Sequence, residues 1–174
     1  MKSKIKYLAY LLKHKWYVMI ECFKAGLILQ GLTHDLSKFT REEFIPYSNF
    51  FYGKTSYLYK KAKKKNGYCK PFITGDQEFD DAWLIHCKRN KHHWQWWVFP
   101  DEQGIVRAIP IDKKYLTEML CDWVAAGKAQ GHCSPQNDPY QNVREWYKCN
   151  KNKIQLAPNT REEIEKRIGY TDTK

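Results

Sequence analysis

Between residues 3 and 25, apolar side chains recur at three- and four-residue spacing: Ile5, Leu8, Leu12, Trp16, Met19 and Phe23. That period is one face of an α-helix, so the stretch predicts a helix. His14 lies on another stripe with Leu11 and Val18, which aims its imidazole inward. Gly26 and Gly31 loosen the chain afterwards. Thr33 is then a candidate N-cap, and Thr40 another, with Glu43 three residues on completing the spacing of a capping box. The stretch YKKAKKKNGYCKPFITGD (59–76) runs from lysines into Gly and Pro and predicts a solvated, mobile connection.

Helical patterning resumes from Asp76 to about Val98. VFPDEQGIVRAIP then predicts a turn or short hairpin near 98–110. Residues 112–129 predict a strong helix with Tyr115, Leu116, Met119, Trp123 and Val124 on its apolar side. GHCSPQNDP reads as a loop, YQNVREWYKC as a short helix and NTREEIEKRI as a capped terminal helix. There is no internal repeat and little strand signal. The expected class is all-α: one helical domain over 1–150, with 151–174 a C-terminal helical extension packing on it.

Composition narrows this picture. The 174 residues include seven Trp, twelve Tyr and eight Phe, enough large side chains to build a core. Thirty Lys+Arg against 19 Asp+Glu give a formal charge of +11, which points to anionic partners without choosing among them. The six cysteines, at 22, 69, 87, 121, 133 and 149, contain no CxxC pair. That speaks against a zinc ribbon or a disulfide framework and for reduced thiols in a cytoplasmic protein. The N-terminal helix begins like a signal peptide, but Lys13, His14, Lys15, Glu21 and Lys24 interrupt its apolar run. It is too charged to span a bilayer, so no membrane partner is expected.

The candidate chemistry rests on imidazoles and carboxylates. His34 and Asp35 are adjacent, with Lys38 three residues behind Asp35. His86 and His93 are seven apart, which on a continuous helix puts both on one face with Asn90 between them and His92 pointing elsewhere. Asp122 shares its stripe with Met119 and Ala126, and a carboxylate on an apolar face needs a cation or a metal to meet it. Each residue alone also suits a structural role: His14 as a core histidine, HHWQWW as a packing segment. Taken together, His14, His34, Asp35 and Asp122 are ligand types for one divalent ion, and His86 with His93 or His92 for a second. Asp35 is the candidate bridge between ions about 3.5–4 Å apart. The metal can be Mn, Fe, Co, Zn or Mg.

The order His14, His34-Asp35, Asp122 in a helical chain resembles the HD-domain superfamily of metal-dependent phosphohydrolases. The added His86 and His92-His93 look like the extra histidines of its binuclear members. HDLSK is similar to the HDxGK segment of its cyclic-dinucleotide phosphodiesterases, with Ser37 in place of the glycine and without their GYP motif. The patterns around HDLSKF, NKHHW and EMLCDW, across roughly residues 10–150, also resemble a family of small phage and bacterial proteins. The resemblance implies an HD-like domain in a bacterial or phage-infected cell and a nucleotide or similar phosphoester as substrate. Metal-activated water would be the nucleophile and Lys38 would steady a phosphate oxygen.

Further roles follow less directly. Glu43 could orient water or relay a proton, or simply cap its helix. Arg89, Lys91 and Asn90 could meet an anionic substrate, or be a solvated face. Two rival functions stay open. Some HD-fold proteins are binuclear-iron oxygenases with the ligand order H, HD, H, H, D. The other rival is a non-enzymatic binder of nucleic acid or nucleotides that uses KKAKKK and interleaved aromatics.

Overall fold

The computed structural model describes residues 2–66, 73–132, 134, 135 and 137–171. Eight helices and a two-stranded hairpin make up the regular structure of these residues, so the class is all-α as the periodicity predicts. The chain forms two compact units, Met1–Lys13 with Asp35–Arg89 and His14–His34 with Asn90–Lys174.

The long N-terminal helix, α1 (Lys2–Lys24), contributes residues to both units. The stripe the periodicity singles out is not its buried face. Ile5, Leu8, Leu12, Trp16 and Phe23 are exposed, whereas Tyr7, Leu11, His14, Val18 and Cys22 are buried. Both sets have helical spacing, so period alone does not distinguish them. His14 lies with Leu11 and Val18 on the buried side, as expected.

In the first unit, α3 (Arg41–Tyr52), α4 (Ser56–Asn66) and α5 (Gln77–Arg89) surround an aromatic core. Phe50 stacks on Phe79 with ring centroids 3.8 Å apart, Tyr47 meets Phe79 edge-on, and Tyr7 of α1 packs on Phe44. Such aromatic pairs add about 0.5–1.5 kcal/mol beyond the area they bury. Asp76 starts α5 by accepting a hydrogen bond from the Phe79 amide. α3 ends at Gly53, where a Cβ would lie 2.8 Å from the Asn49 Cα, so the position needs a residue without a side chain. The lysine run at 60–64 belongs to α4 rather than to a connection. Residues 67–72, including Cys69, lie outside the described residues, as does Cys133.

In the second unit, α2 (Ile28–Thr33) follows α1 with Gly31 against Cys22 and the Phe23 ring, 3.0–3.1 Å from where a Cβ would sit. The expected hairpin is present: β1 (Val98–Pro100) pairs with β2 (Val106–Ala108) around a turn in which the Asp101 carboxylate accepts from the Gln103 and Ile105 amides. The core lies among α6 (Lys113–Ala129), α7 (Gln141–Asn150) and α8 (Pro158–Ile168). Leu116, Met119, Leu120, Val143, Tyr147 and Ile164 belong to it. Asp112 caps α6 by accepting from the Lys114 amide. Gly169, at φ +66°, closes α8 with the Tyr170 amide donating to Glu165, the Schellman arrangement only a residue tolerant of left-handed backbone allows.

One predicted helix is corrected. α5 ends at Arg89 and does not run to Val98. The His93 amide closes a turn onto the Asn90 carbonyl, His93 itself is extended (φ −85°, ψ 128°), and a short 3-10 turn follows at Trp94–Trp97. Asparagine readily leaves the helical conformation, and the Trp97 indole holds the new path by donating to the Lys91 carbonyl at 2.7 Å.

Candidate metal centre

The site begins where α2 stops. The Thr33 hydroxyl donates back to the Leu29 carbonyl inside α2, so Thr33 ends a helix rather than capping the next. Asp35 then takes left-handed backbone, φ 55° and ψ 25°, the one non-glycine with positive φ among the described residues. This conformation costs on the order of 1–3 kcal/mol and is kept at positions where the side chain's direction matters. The conformation falls at the first residue of the segment Asp35–Arg89 of the first unit, directly after His34, the last residue of the segment His14–His34 of the second.

In the second unit, His14, His34, His92, Glu118 and Asp122 come together. Glu118 and Asp122 are four apart on α6 and therefore share a face. The Asp122 carboxylate oxygen Oδ1 lies 3.1 Å from His14 Nε2 and 3.7 Å from His34 Nε2. Glu118 Oε1 lies 2.9 Å from His34 Nδ1 and 3.2 Å from His92 Nδ1. The His34 and His92 ring centroids are 4.2 Å apart with the rings tilted by 34°, and the His14 ring lies 5.8 Å from that of His34. Ligand atoms of His34, His92 and Asp122 all fall within 4.8 Å of one another, a set that can hold a metal ion. Burial pushes the Asp122 carboxyl up, but hydrogen bonds with His14 and His34 outweigh it and hold the group well below the usual carboxylate range. Glu118 follows the same pattern, burial opposing and His34 and His92 lowering.

In the first unit, Asp35, Lys38, Glu43 and His86 form a second cluster. His86 Nε2 lies 3.3 Å from Asp35 Oδ1, and His86 Nδ1 lies 2.8 Å from Glu43 Oε2. Glu43 is wholly buried and also accepts from the Ser37 hydroxyl at 3.0 Å and from Arg89 at 3.5 Å. Lys38 Nζ sits 2.5 Å from Asp35 Oδ2 and 5.9 Å over the Tyr47 ring. Burial drives the His86 pKa down to about 4, Asp35 opposing, so the ring is neutral at pH 7 and in the form that ligates metal.

Several sequence expectations change here. Thr40 makes no capping bond with its side chain, which donates instead to the Ser37 carbonyl, so there is no capping box. Glu43 faces inward and fixes the His86 ring. Of the histidine pair, His92 is buried with its ring nitrogen on Glu118, while His93 is half-buried and packs on His92 at 4.4 Å. The helix break at Asn90 ends the helical phase that favoured His93 over His92, both remain among the residues able to offer a metal ligand, and Asn90 supplies a turn carbonyl rather than a face between two ligands. Arg89 is engaged by Glu42 at 2.7 Å as well as by Glu43. Glu118 escaped the sequence reading altogether, although its four-residue spacing from Asp122 was a usable signal.

The fold and these clusters define an all-helical protein with buried histidine–carboxylate groups that can hold a metal ion. Over residues 3–169 the chain matches a family described as a family of unknown function (DUF5662), and it belongs to that family. No curated protein and no solved structure matches it. Among the described residues no helix is long and apolar enough to cross a membrane.

Proposed function

We propose that the protein is a metal-dependent phosphohydrolase acting on a nucleotide or related phosphoester. The charge balance of the second unit's cluster carries this reading. Glu118 and Asp122 pair with three imidazoles, and among the described residues no Lys or Arg pairs with either carboxylate. A divalent cation would balance the two negative charges, and imidazole nitrogen with carboxylate oxygen is a donor set for Mn, Fe, Co or Zn. His34, His92 and Asp122 would hold it, with His14 beside Asp122, and Asp35 with His86 would hold a second ion. A bound ion supplies a water activated toward a pKa of ~7 and neutralises charge on a phosphoryl oxygen.

The chain's own groups do the rest. Glu118 and Glu43 each take a histidine Nδ1 and so turn Nε2 toward an aspartate, the outer-shell arrangement that orients imidazole ligands. Lys38 places an ammonium on Asp35, where it can stabilise a phosphate oxygen. The net charge of +11 favours an anionic substrate. The order His14, His34-Asp35, Asp122 resembles the HD superfamily and supports the same reaction class.

Metal analysis of the purified protein, followed by phosphate release from mono-, di- and cyclic nucleotides with Mn²⁺, Co²⁺, Zn²⁺ or Fe²⁺, tests the proposal. Stoichiometric metal that is lost in Asp122→Ala together with turnover is the expected result. Lys38→Ala should keep its metal and lose rate or phosphate affinity. Protein that purifies without metal and binds nucleic acid through the lysines of α4 would sink the reading. A binuclear-iron oxygenase is the second reading, favoured by four deeply buried imidazoles at His14, His34, His86 and His92. Iron-loaded protein that consumes oxygen with a polyol and ignores phosphoesters would establish it.

A further inference from the structure

The outer face of α1 is an apolar feature that the metal centre leaves unused. Ile5 is 60%, Leu8 38%, Leu12 53%, Trp16 58% and Phe23 38% exposed. At ~100° per residue these five fall within about 80° of arc, one continuous apolar stripe along the helix. Isolated exposed leucines are ordinary, but a full-length stripe with a central tryptophan marks an interaction surface. The opposite side of the same helix is already occupied, since Tyr7, Leu11, Val18 and Cys22 are in the cores.

The polar residues around the stripe identify what it meets. Lys2 and Lys13 flank it on one side and Lys4 on the other, all exposed, with Lys6 further round. The one acid of α1, Glu21, is turned away and held by Lys24 at 3.0 Å and Lys128 at 2.7 Å. An apolar stripe edged by lysines and free of acids complements an anionic lipid surface, with the side chains entering the acyl boundary and the lysines meeting the headgroups. A second copy of the same face is a poor match. A two-fold pairing opposes each flank with its own kind, and α1 offers no exposed carboxylate to separate the lysines.

We infer that α1 docks the protein on anionic bilayers, lying in the interface without crossing it. This departs from the sequence expectation of no membrane partner, which considered only a spanning helix. It is independent of the metal centre.

Sedimentation with phosphatidylcholine vesicles, with and without phosphatidylglycerol, tests the inference on the full-length protein. The protein should pellet with the phosphatidylglycerol vesicles at low salt and be released at high salt. Leu12→Asp should abolish pelleting. Lys4→Glu with Lys13→Glu should weaken it by about fivefold or more per lysine. Tryptophan emission should shift to the blue on the same vesicles, and Trp16→Phe should remove most of that shift. These positions are exposed, so circular dichroism and metal content should match wild type in every variant. Equal pelleting of wild type and Leu12→Asp overturns the inference, as does no pelleting of wild type. A wild-type dimer in the ultracentrifuge that Leu12→Asp converts to monomer, without vesicle binding by wild type, assigns the stripe to a second copy instead.

Discussion

Glu118 and Glu43 hold their histidines in the same way, yet the two clusters differ in what balances their charge. In the first unit, Lys38 sits on Asp35 and Arg89 reaches Glu43, so the carboxylates meet side-chain cations. In the second unit, Glu118 and Asp122 meet only imidazoles among the described residues. Neutral imidazoles donate hydrogen bonds but supply no charge, and a buried carboxylate without a countercharge is costly. The first cluster is therefore close to self-sufficient, whereas the second is stable at neutral pH only with protonated rings or a bound cation. The geometry of a ligand set and its need for metal are separate properties.

The sharpest way to break this comparison is to supply the cation. Saturation with a tightly bound divalent ion at about a thousandfold excess over Kd should stabilise the protein by about 4 kcal/mol. In a chain of this size that raises the thermal midpoint by on the order of 10 °C. Differential scanning calorimetry of Asp122→Ala should show almost none of that gain. An undiminished shift in this variant would move the metal requirement away from the second unit.

Removing the built-in cation of the first unit should have the next largest effect. Lys38→Met leaves Asp35 buried beside His86 without its ammonium, which should cost the metal-free protein about 3 kcal/mol. Urea unfolding measures this. A loss below about 1 kcal/mol would mean that Lys38 does not balance Asp35, and the contrast between the clusters would fail.

Glu118→Gln keeps the shape of the side chain but weakens its hold on the His34 and His92 rings. Metal affinity should fall by about 10- to 100-fold, as is usual for outer-shell partners. Competition against a chromophoric chelator reads this directly, and Glu43→Gln serves as the matched control for the first unit. If both variants bind the tightest metal equally well, that ion does not belong to the second unit.

The smallest effect concerns the discarded capping box. Thr40→Val removes a hydroxyl that bonds the Ser37 carbonyl at an exposed position rather than an α3 amide. It should change stability by less than about 0.5 kcal/mol. A loss of about 1 kcal/mol or more would restore the cap.

Much of the molecule was legible from local pattern. The helical class, the hairpin near 98–110, the inward placement of His14 and the ligand types at His34, Asp35, His86 and Asp122 follow from period, turn residues and side-chain chemistry. These properties are set by residues a few positions apart, so the sequence by itself determined them. Which face of α1 is buried was not among them, because two apolar stripes share one helix and the choice depends on what packs against each. The single helical face expected to carry both His86 and His93 was lost to a turn at Asn90, since helical phase carries forward only while the helix continues. Glu118 meets His34 across 84 residues of sequence and Glu43 meets His86 across 43. No local pattern encodes such pairings. Burial decides them, because a carboxylate taken out of water must find a hydrogen-bond partner, and only the folded chain determines which imidazole is within reach.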